Sequence, residues 1–381
     1  MISCVRSVVP ALLAALVLVA GPALSSPIPS APSVDAESYV LMDYHSGRVL
    51  AEKDPEKVVE PASITKVMTG YVVFNSLRTG SIALDDEVMV SERAWRMPGS
   101  RMFIEVGRRV SVEDLLQGMI IQSGNDASVA LAEHVAGSEA AFVDLMNQYA
   151  QRLGMENTSY ANATGLPDES QYTTAIDTAR LTRALIQEFP QYYSWYSDRE
   201  FTFNGIRQNN RNTLLWRDDS VDGVKTGHTS SAGYCLVTSA ERNDSRLISV
   251  VMGSSSERSR ADASQSLLNY GFRFFETHRL YTAGESLAEE RIWGGARDYL
   301  NLGVNEDLFV TIPRGTYRDL DPVLNLRGRL DAPISAGDPV GKVRVRLNDD
   351  VIAEREVHAL EDIQSGSLWQ RMVDRVKLFF D

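Results

Sequence analysis

Residues 61–66 read Pro-Ala-Ser-Ile-Thr-Lys, and the apolar positions Ile64, Val67, Met68, Tyr71 and Val72 run on from Ser63 at helical spacing. Pro61 suits the start of that helix, where a missing backbone N–H costs nothing. A spacing of three places Ser63 and Lys66 on the same face, within reach of each other. A serine hydroxyl is a poor nucleophile until a neighbouring base takes its proton. Lysine can be that base only if burial or nearby positive charge pulls its pKa down from about 10.4. The start of a helix also offers backbone N–H groups to a developing oxyanion. Taken alone the pair is a weak signal, because a solvated helix cap would carry the same letters.

Working outward, Ser123-Gly124-Asn125 follows about sixty residues later, between helical patterns at 112–121 and 125–135. About a hundred residues beyond, Lys225-Thr226-Gly227 leads into a strand at 233–239. Two strands at 39–44 and 48–51, joined by His45-Ser46-Gly47, form a hairpin signal near the start. Helical patterns recur at 139–152 and 174–187, a second strand follows at 246–252, and a helix runs from about 258 to 275. Strands, helices, strands, helix is the order of an α/β domain over roughly 36–276. Its sheet recruits both ends of the segment, and a helical lobe at about 75–190 is inserted between them.

One chain therefore carries S-x-x-K, S-x-N and K-T-G in that order. The trio resembles that of the penicillin-recognising serine enzymes, the penicillin-binding proteins and serine β-lactamases. It is more similar still to the low-molecular-mass penicillin-binding proteins that are serine-type D-alanyl-D-alanine carboxypeptidases (peptidase family S11). The stretches DGVKTGHTSSAGYCLVTSA from Asp222, GSRMFIEVG from Gly99 and REFTFNGIRQNNRNTLLW from Arg199 carry that closer likeness. The resemblance implies a penicillin-binding, β-lactamase-like transpeptidase fold, an antiparallel sheet flanked by helices with a helical lobe. It makes Ser63 the acylated nucleophile, Lys66 its base and Ser123 a proton relay. Asn125 would hold the substrate amide and Lys66, while Lys225 and Thr226, with Gly227 in the same strand, would receive the terminal carboxylate. The backbone N–H groups of Ser63 and His228 would form the oxyanion hole, and Arg211 would provisionally support the carboxylate side. The implied substrates are peptidoglycan stem peptides ending in D-Ala-D-Ala, with β-lactams as covalent inhibitors of the same serine. The residues agree on their own terms, since a free carboxylate needs fixed cations and hydroxyl donors in an otherwise acidic protein.

The chain has 381 residues, with 51 acidic against 38 basic side chains and a net charge of −13. Such a surface repels phosphate backbones, so no nucleic acid partner is expected. Residues 1–25 read as a signal peptide: Arg6, an apolar run from Val8 to Ala20 broken by Pro10, then Ala23-Leu24-Ser25. Ser26 and Ala31 are alternative ends, and the short run argues against a membrane-spanning anchor. Export to the periplasmic face of the cytoplasmic membrane follows. Only Cys4 and Cys235 are present, so no disulfide framework exists. The histidines at 45, 134, 228, 278 and 358 lack metal-ligand spacing, and no metal or cofactor is expected.

Beyond residue 277 the texture changes. Lys342-Val343-Arg344-Val345-Arg346-Leu347 alternates strictly, and 280–360 reads as a small all-β domain. At 366–381, Trp369, Met372, Val373, Val376 and Phe380 share one helical face, with Arg371, Asp374 and Arg375 opposite. That pattern is an amphipathic helix for a membrane surface, or alternatively one docked on the β-domain. Two rival activities share the chemistry. A D,D-endopeptidase would cut cross-links instead of a terminal D-alanine, and a β-lactamase would need a deacylating glutamate that neither Glu156 nor Glu169 provides in an E-x-x-x-N arrangement.

Overall fold

The computed structural model describes residues 28–378; the leader and Phe380 lie outside them. A five-stranded antiparallel sheet forms the first domain, in the spatial order Val49–Lys53, Ser38–Asp43, Ser245–Ser254, Gly233–Arg242, Val221–Thr229. Both ends of the segment thus meet in one sheet, and Val221–Thr229, which contains Lys225-Thr226-Gly227, is its free edge.

Alternation along the strands gives the sheet two apolar faces. Val40, Met42, Ile248, Val250 and Met252 point into the larger core, against the helix Ala175–Glu188, and Val67, Met68 and Tyr71 of the helix Thr65–Arg78 belong to the same core. Tyr39, Leu41, Leu247 and Val251 point the other way, against Leu267 and Leu268 of the helix Glu257–Phe274. The lobe is built from Val112–Ile121, Asn125–Ala136, Glu139–Arg152 and Ala175–Glu188. Three of these start at a side-chain cap: Ser111, Ser138 and Thr174 each accept an N–H from the first turn, an interaction typically worth about 1 kcal/mol.

One local expectation changes. Ser63 is not in the α-helix itself but in a 3-10 turn, Ala62–Ile64, and the regular helix begins at Thr65. The tighter turn keeps Ser63 and Lys66 neighbours, since i and i+3 eclipse in 3-10 geometry. Ala62, at the start of the turn, has a φ of +46°, a left-handed conformation costly for a residue with a Cβ.

The helix Glu257–Phe274 passes directly into the strand Phe275–Tyr281, which pairs with Leu308–Pro313. A six-stranded, mostly antiparallel sheet completes the β-domain around Ile292, Leu302, Val310 and Val345. The joint between domains is polar: buried Asp43 accepts from Ser46 N and Thr277 Oγ1, both at 2.7 Å, and Arg48 donates to the Thr311 carbonyl at 2.6 Å. The chain ends in the helix Leu368–Lys377, opened by a capping box between Ser367 and Gln370.

Candidate active site

Three segments converge where the edge strand meets the lobe. Ser63 arrives on the 3-10 turn, Ser123 and Asn125 come from the loop between two lobe helices, and Lys225–His228 come from the strand Val221–Thr229. Ser63, Ser123 and Thr226–His228, together with Gly99, Ser100, Arg211, Tyr234, Glu257 and Arg260, line a cleft of about 400 Å³, with Lys66, Asn125 and Lys225 buried beneath.

Close approach depends on two glycines. A Cβ on Gly227 would stand 3.1 Å from Ala62 Cβ and 3.2 Å from the Pro61 carbonyl, so a side chain there would push the strand and the nucleophile turn apart by a few tenths of an ångström. Gly165 (φ +86°) is tighter: its Cβ would lie 1.8 Å from the Ala62 carbonyl oxygen.

Lys66 is 1% exposed, and its Nζ donates to Asn125 Oδ1 at 2.6 Å and to the Thr164 carbonyl at 2.5 Å. Ser63 Oγ lies 3.2 Å from the same nitrogen. Burial pulls the Lys66 pKa down to about 7, the Arg211 charge adds to that, and Asp126 opposes it. A neutral amine has two N–H bonds, which Asn125 and Thr164 occupy, so its lone pair is left facing the Ser63 hydroxyl. Lys225 is also buried, and burial together with Lys66, Arg211 and Arg260 holds it well below the ordinary lysine range. Ser123 Oγ is buried at the cleft wall and makes no protein hydrogen bond among the described residues.

His228 follows Gly227 on the edge strand, and its ring packs on Tyr234 with centroids 4.1 Å apart. Cys235 is buried, and its thiol is pushed up to about 11 by burial, which leaves it inert at neutral pH. His134 contacts Asp86 at 3.3 Å and does not line the cleft.

Two residues escaped sequence reasoning. Asp126 is buried, and its carboxylate accepts the backbone N–H groups of Met102, Phe103, Ile104 and Ala127 at 2.9–3.3 Å. It thereby ties down the segment carrying Pro98, whose carbonyl accepts from Asn125 Nδ2 at 2.7 Å. Arg260, 5% exposed, donates to the Gly227 carbonyl at 3.1 Å. A signal existed for it: Arg260 shares the inward stripe of its helix with Ser264, Leu267, Leu268 and Gly271, an odd place for a charge.

A sheet closed by its first and last strands, an inserted helical lobe and a buried Ser–Lys pair at their junction together define a serine acyl-transfer enzyme of the penicillin-recognising type. The comparisons narrow this. The family described as D-alanyl-D-alanine carboxypeptidase, peptidase S11, matches residues 26–256, and the penicillin-binding protein 5 C-terminal domain matches 275–365. The chain is 44% identical over 362 residues to the D-alanyl-D-alanine carboxypeptidase DacA of Escherichia coli K12, covering 93% of this chain and 90% of that one. Among solved structures it resembles penicillin-binding protein 5 from Haemophilus influenzae, at a TM-score of 0.85 and 42% identity, over 88% of this chain and all of that one. Penicillin-binding protein D2 from Listeria monocytogenes, in an ampicillin-bound form, matches 64% of this chain and all of its own, at a TM-score of 0.60 and 29% identity. The chain belongs to the S11 family of D-alanyl-D-alanine carboxypeptidases, and it is a serine-type D-alanyl-D-alanine carboxypeptidase.

Proposed function

We propose that Ser63 carries the acyl-enzyme and that neutral Lys66 is the base that activates it. The observation behind this is the buried amine, lowered to about 7, with both N–H bonds engaged and Ser63 Oγ 3.2 Å away. Ser63 Oγ attacks the carbonyl of the penultimate D-alanine as its proton passes to Lys66 Nζ. The N–H groups of Ser63 and His228 receive the oxyanion. The tetrahedral adduct collapses, the C–N bond breaks, and Lys66 returns the proton through Ser123 to the departing D-alanine amine. Water then hydrolyses the ester, again with Lys66 as base. Lys225, Thr226 and Arg211 hold the terminal carboxylate, Asn125 holds the substrate amide, and Gly227 lets the strand come close enough to do so.

The same serine is the proposed site of β-lactam acylation, a reading supported by the ampicillin-bound relative. We place the enzyme outside the cytoplasmic membrane on its periplasmic face. The proposed domain limits are 1–25 for the leader, 26–276 for the catalytic domain, 280–360 for the β-domain and 366–381 for the membrane-surface helix. No helix among the described residues is long and apolar enough to cross a membrane. The terminal helix instead exposes Leu368, Trp369, Met372 and Val376, a stripe suited to lying in the interface.

The test is D-alanine release from diacetyl-L-Lys-D-Ala-D-Ala, with intact-mass detection of a penicillin adduct. Release and adduct from the parent, and neither from Ser63→Ala, support the reading. An adduct that persists in Ser63→Ala overturns it.

A further inference from the structure

We propose that the cavity between the terminal helix and the β-domain is a binding site for the phosphodiester headgroup of an anionic phospholipid. This rests on the membrane-surface reading above and adds to it a built site on the folded domain and a lipid preference.

The terminal helix docks by its polar side. Asp374 is buried and accepts from Arg291 at 2.8 Å and from the Gly294 N–H at 2.8 Å. Residues on a helix follow one another at about 100°. With Asp374 turned inward, Leu368, Trp369, Met372 and Val376 must face outward, and they are 83%, 70%, 53% and 55% exposed. Arg371 and Arg375, one turn apart, fall on a single flank between the docked side and the apolar stripe. That flank overhangs a cavity of about 510 Å³, whose opposite wall is Trp293, Arg329 and Ala332 of the β-domain.

The charge count favours an anion. Asp374 is satisfied by Arg291, and Asp331 is held by Arg329 through Nε and Nη2 at 2.9 and 3.0 Å. Arg371 and Arg375 also line the cavity, and among the described residues neither has a carboxylate partner. Three guanidinium groups, of Arg329, Arg371 and Arg375, therefore line the cavity with two carboxylates, on a protein of net charge −13, and Arg291, outside that lining, is shared between Asp374 and Asp298. Guanidinium groups bind phosphate oxygens in pairs, and arginines reach from an apolar face to a headgroup while their stems stay buried. Leu368 and Met372, on the cavity rim, are continuous with the exposed stripe. A ligand with an anionic head and apolar tails satisfies both surfaces at once, which a free phosphate or a soluble peptide does not.

The experiment is co-sedimentation of the exported, full-length protein with vesicles of phosphatidylcholine alone, and with vesicles containing phosphatidylglycerol. D-alanine release from the soluble tripeptide serves as the folding control. The parent should bind the phosphatidylglycerol vesicles at least tenfold more tightly, and Arg371→Gln with Arg375→Gln should lose about fivefold per arginine removed. The deciding variant pairs Arg329→Gln with Asp331→Asn, which leaves net charge unchanged and lies off the helix. The cavity requires a several-fold loss on phosphatidylglycerol only. Affinity unchanged in that variant would mean the helix alone senses lipid charge, and the cavity proposal would fall. Equal binding of the parent to both vesicles would also overturn it. Binding to neither would instead sink the membrane-surface reading on which it rests.

Discussion

In the cleft, Lys66, Lys225 and Arg260 are at most 5% exposed, whereas Arg371 and Arg375 of the terminal helix lie open to solvent. Burial in the cleft disfavours the charged form, so Lys66 drops to about 7, as its proposed role as a base requires. On the helix the guanidinium groups stand in water, open to attraction at a surface. On the proposed reading, basic residues of the same acidic chain serve chemistry where they are dry and adhesion where they are wet. Hydrogen bonding follows the same divide: Lys66 has three partners within 3.2 Å, while the helix arginines have no carboxylate partner among the described residues.

The hardest blow to that contrast is Lys66→Met. If the buried amine is the base, acylation of Ser63 by penicillin should fall by about 10²–10⁴-fold, read as the rate of adduct formation by intact mass. A fall below tenfold would mean burial has not made Lys66 a base. Gly165→Ala comes next. It drives a methyl into the Ala62 carbonyl and should slow acylation by at least about tenfold, because misplacing a reacting group by about 1 Å costs on that order or more.

The pH profile sharpens the comparison. The base must be unprotonated, so acylation should rise about tenfold per unit as pH climbs toward 7 and level off above it. A profile still rising at pH 9 would place the Lys66 pKa near its solvated value and remove the distinction between the regions.

Asp126→Asn probes the scaffold. Its buried carboxylate holds four backbone N–H groups, and replacing it should cost about 2–4 kcal/mol in a denaturant melt. At the small end stands the exposed Arg327–Glu356 pair of the β-domain. Arg327→Gln should change stability by at most about 1 kcal/mol, as water-screened pairs do. A larger loss would show that wet ion pairs matter more here than the contrast allows.

The lobe helices were legible because their caps and apolar periods are local: Ser111, Ser138 and Thr174 stand one residue before the helices they start. The strands were legible as short apolar runs bounded by turn residues, as in Tyr39–Met42 and Leu247–Met252, whose residues divide between two cores. The hairpin of Glu200–Phe203 and Ile206–Asn209 went unread although Asn204-Gly205 is a hairpin turn signal, because its strands are only four residues on each side. Arg260 and Asp126 were missed for another reason. Each acts on backbone groups more than twenty residues away, and no spacing rule encodes such a pairing.

By itself the sequence determined the residue types of the acylation machinery, the order of strands and helices around them, and an amphipathic tail. Those follow from letters and periods within one or two turns of chain. Tertiary structure alone decided that Lys66 is dry, since the groups that bury and bind it come from 59 and 98 residues away. It alone decided that the terminal helix turns Asp374 inward and its apolar stripe outward, because Arg291 and Gly294 lie on a strand and turn some eighty residues earlier. Periodicity is local, whereas burial and charge pairing belong to whatever the fold brings alongside, and that is where this protein's pKa values and contact surfaces were decided.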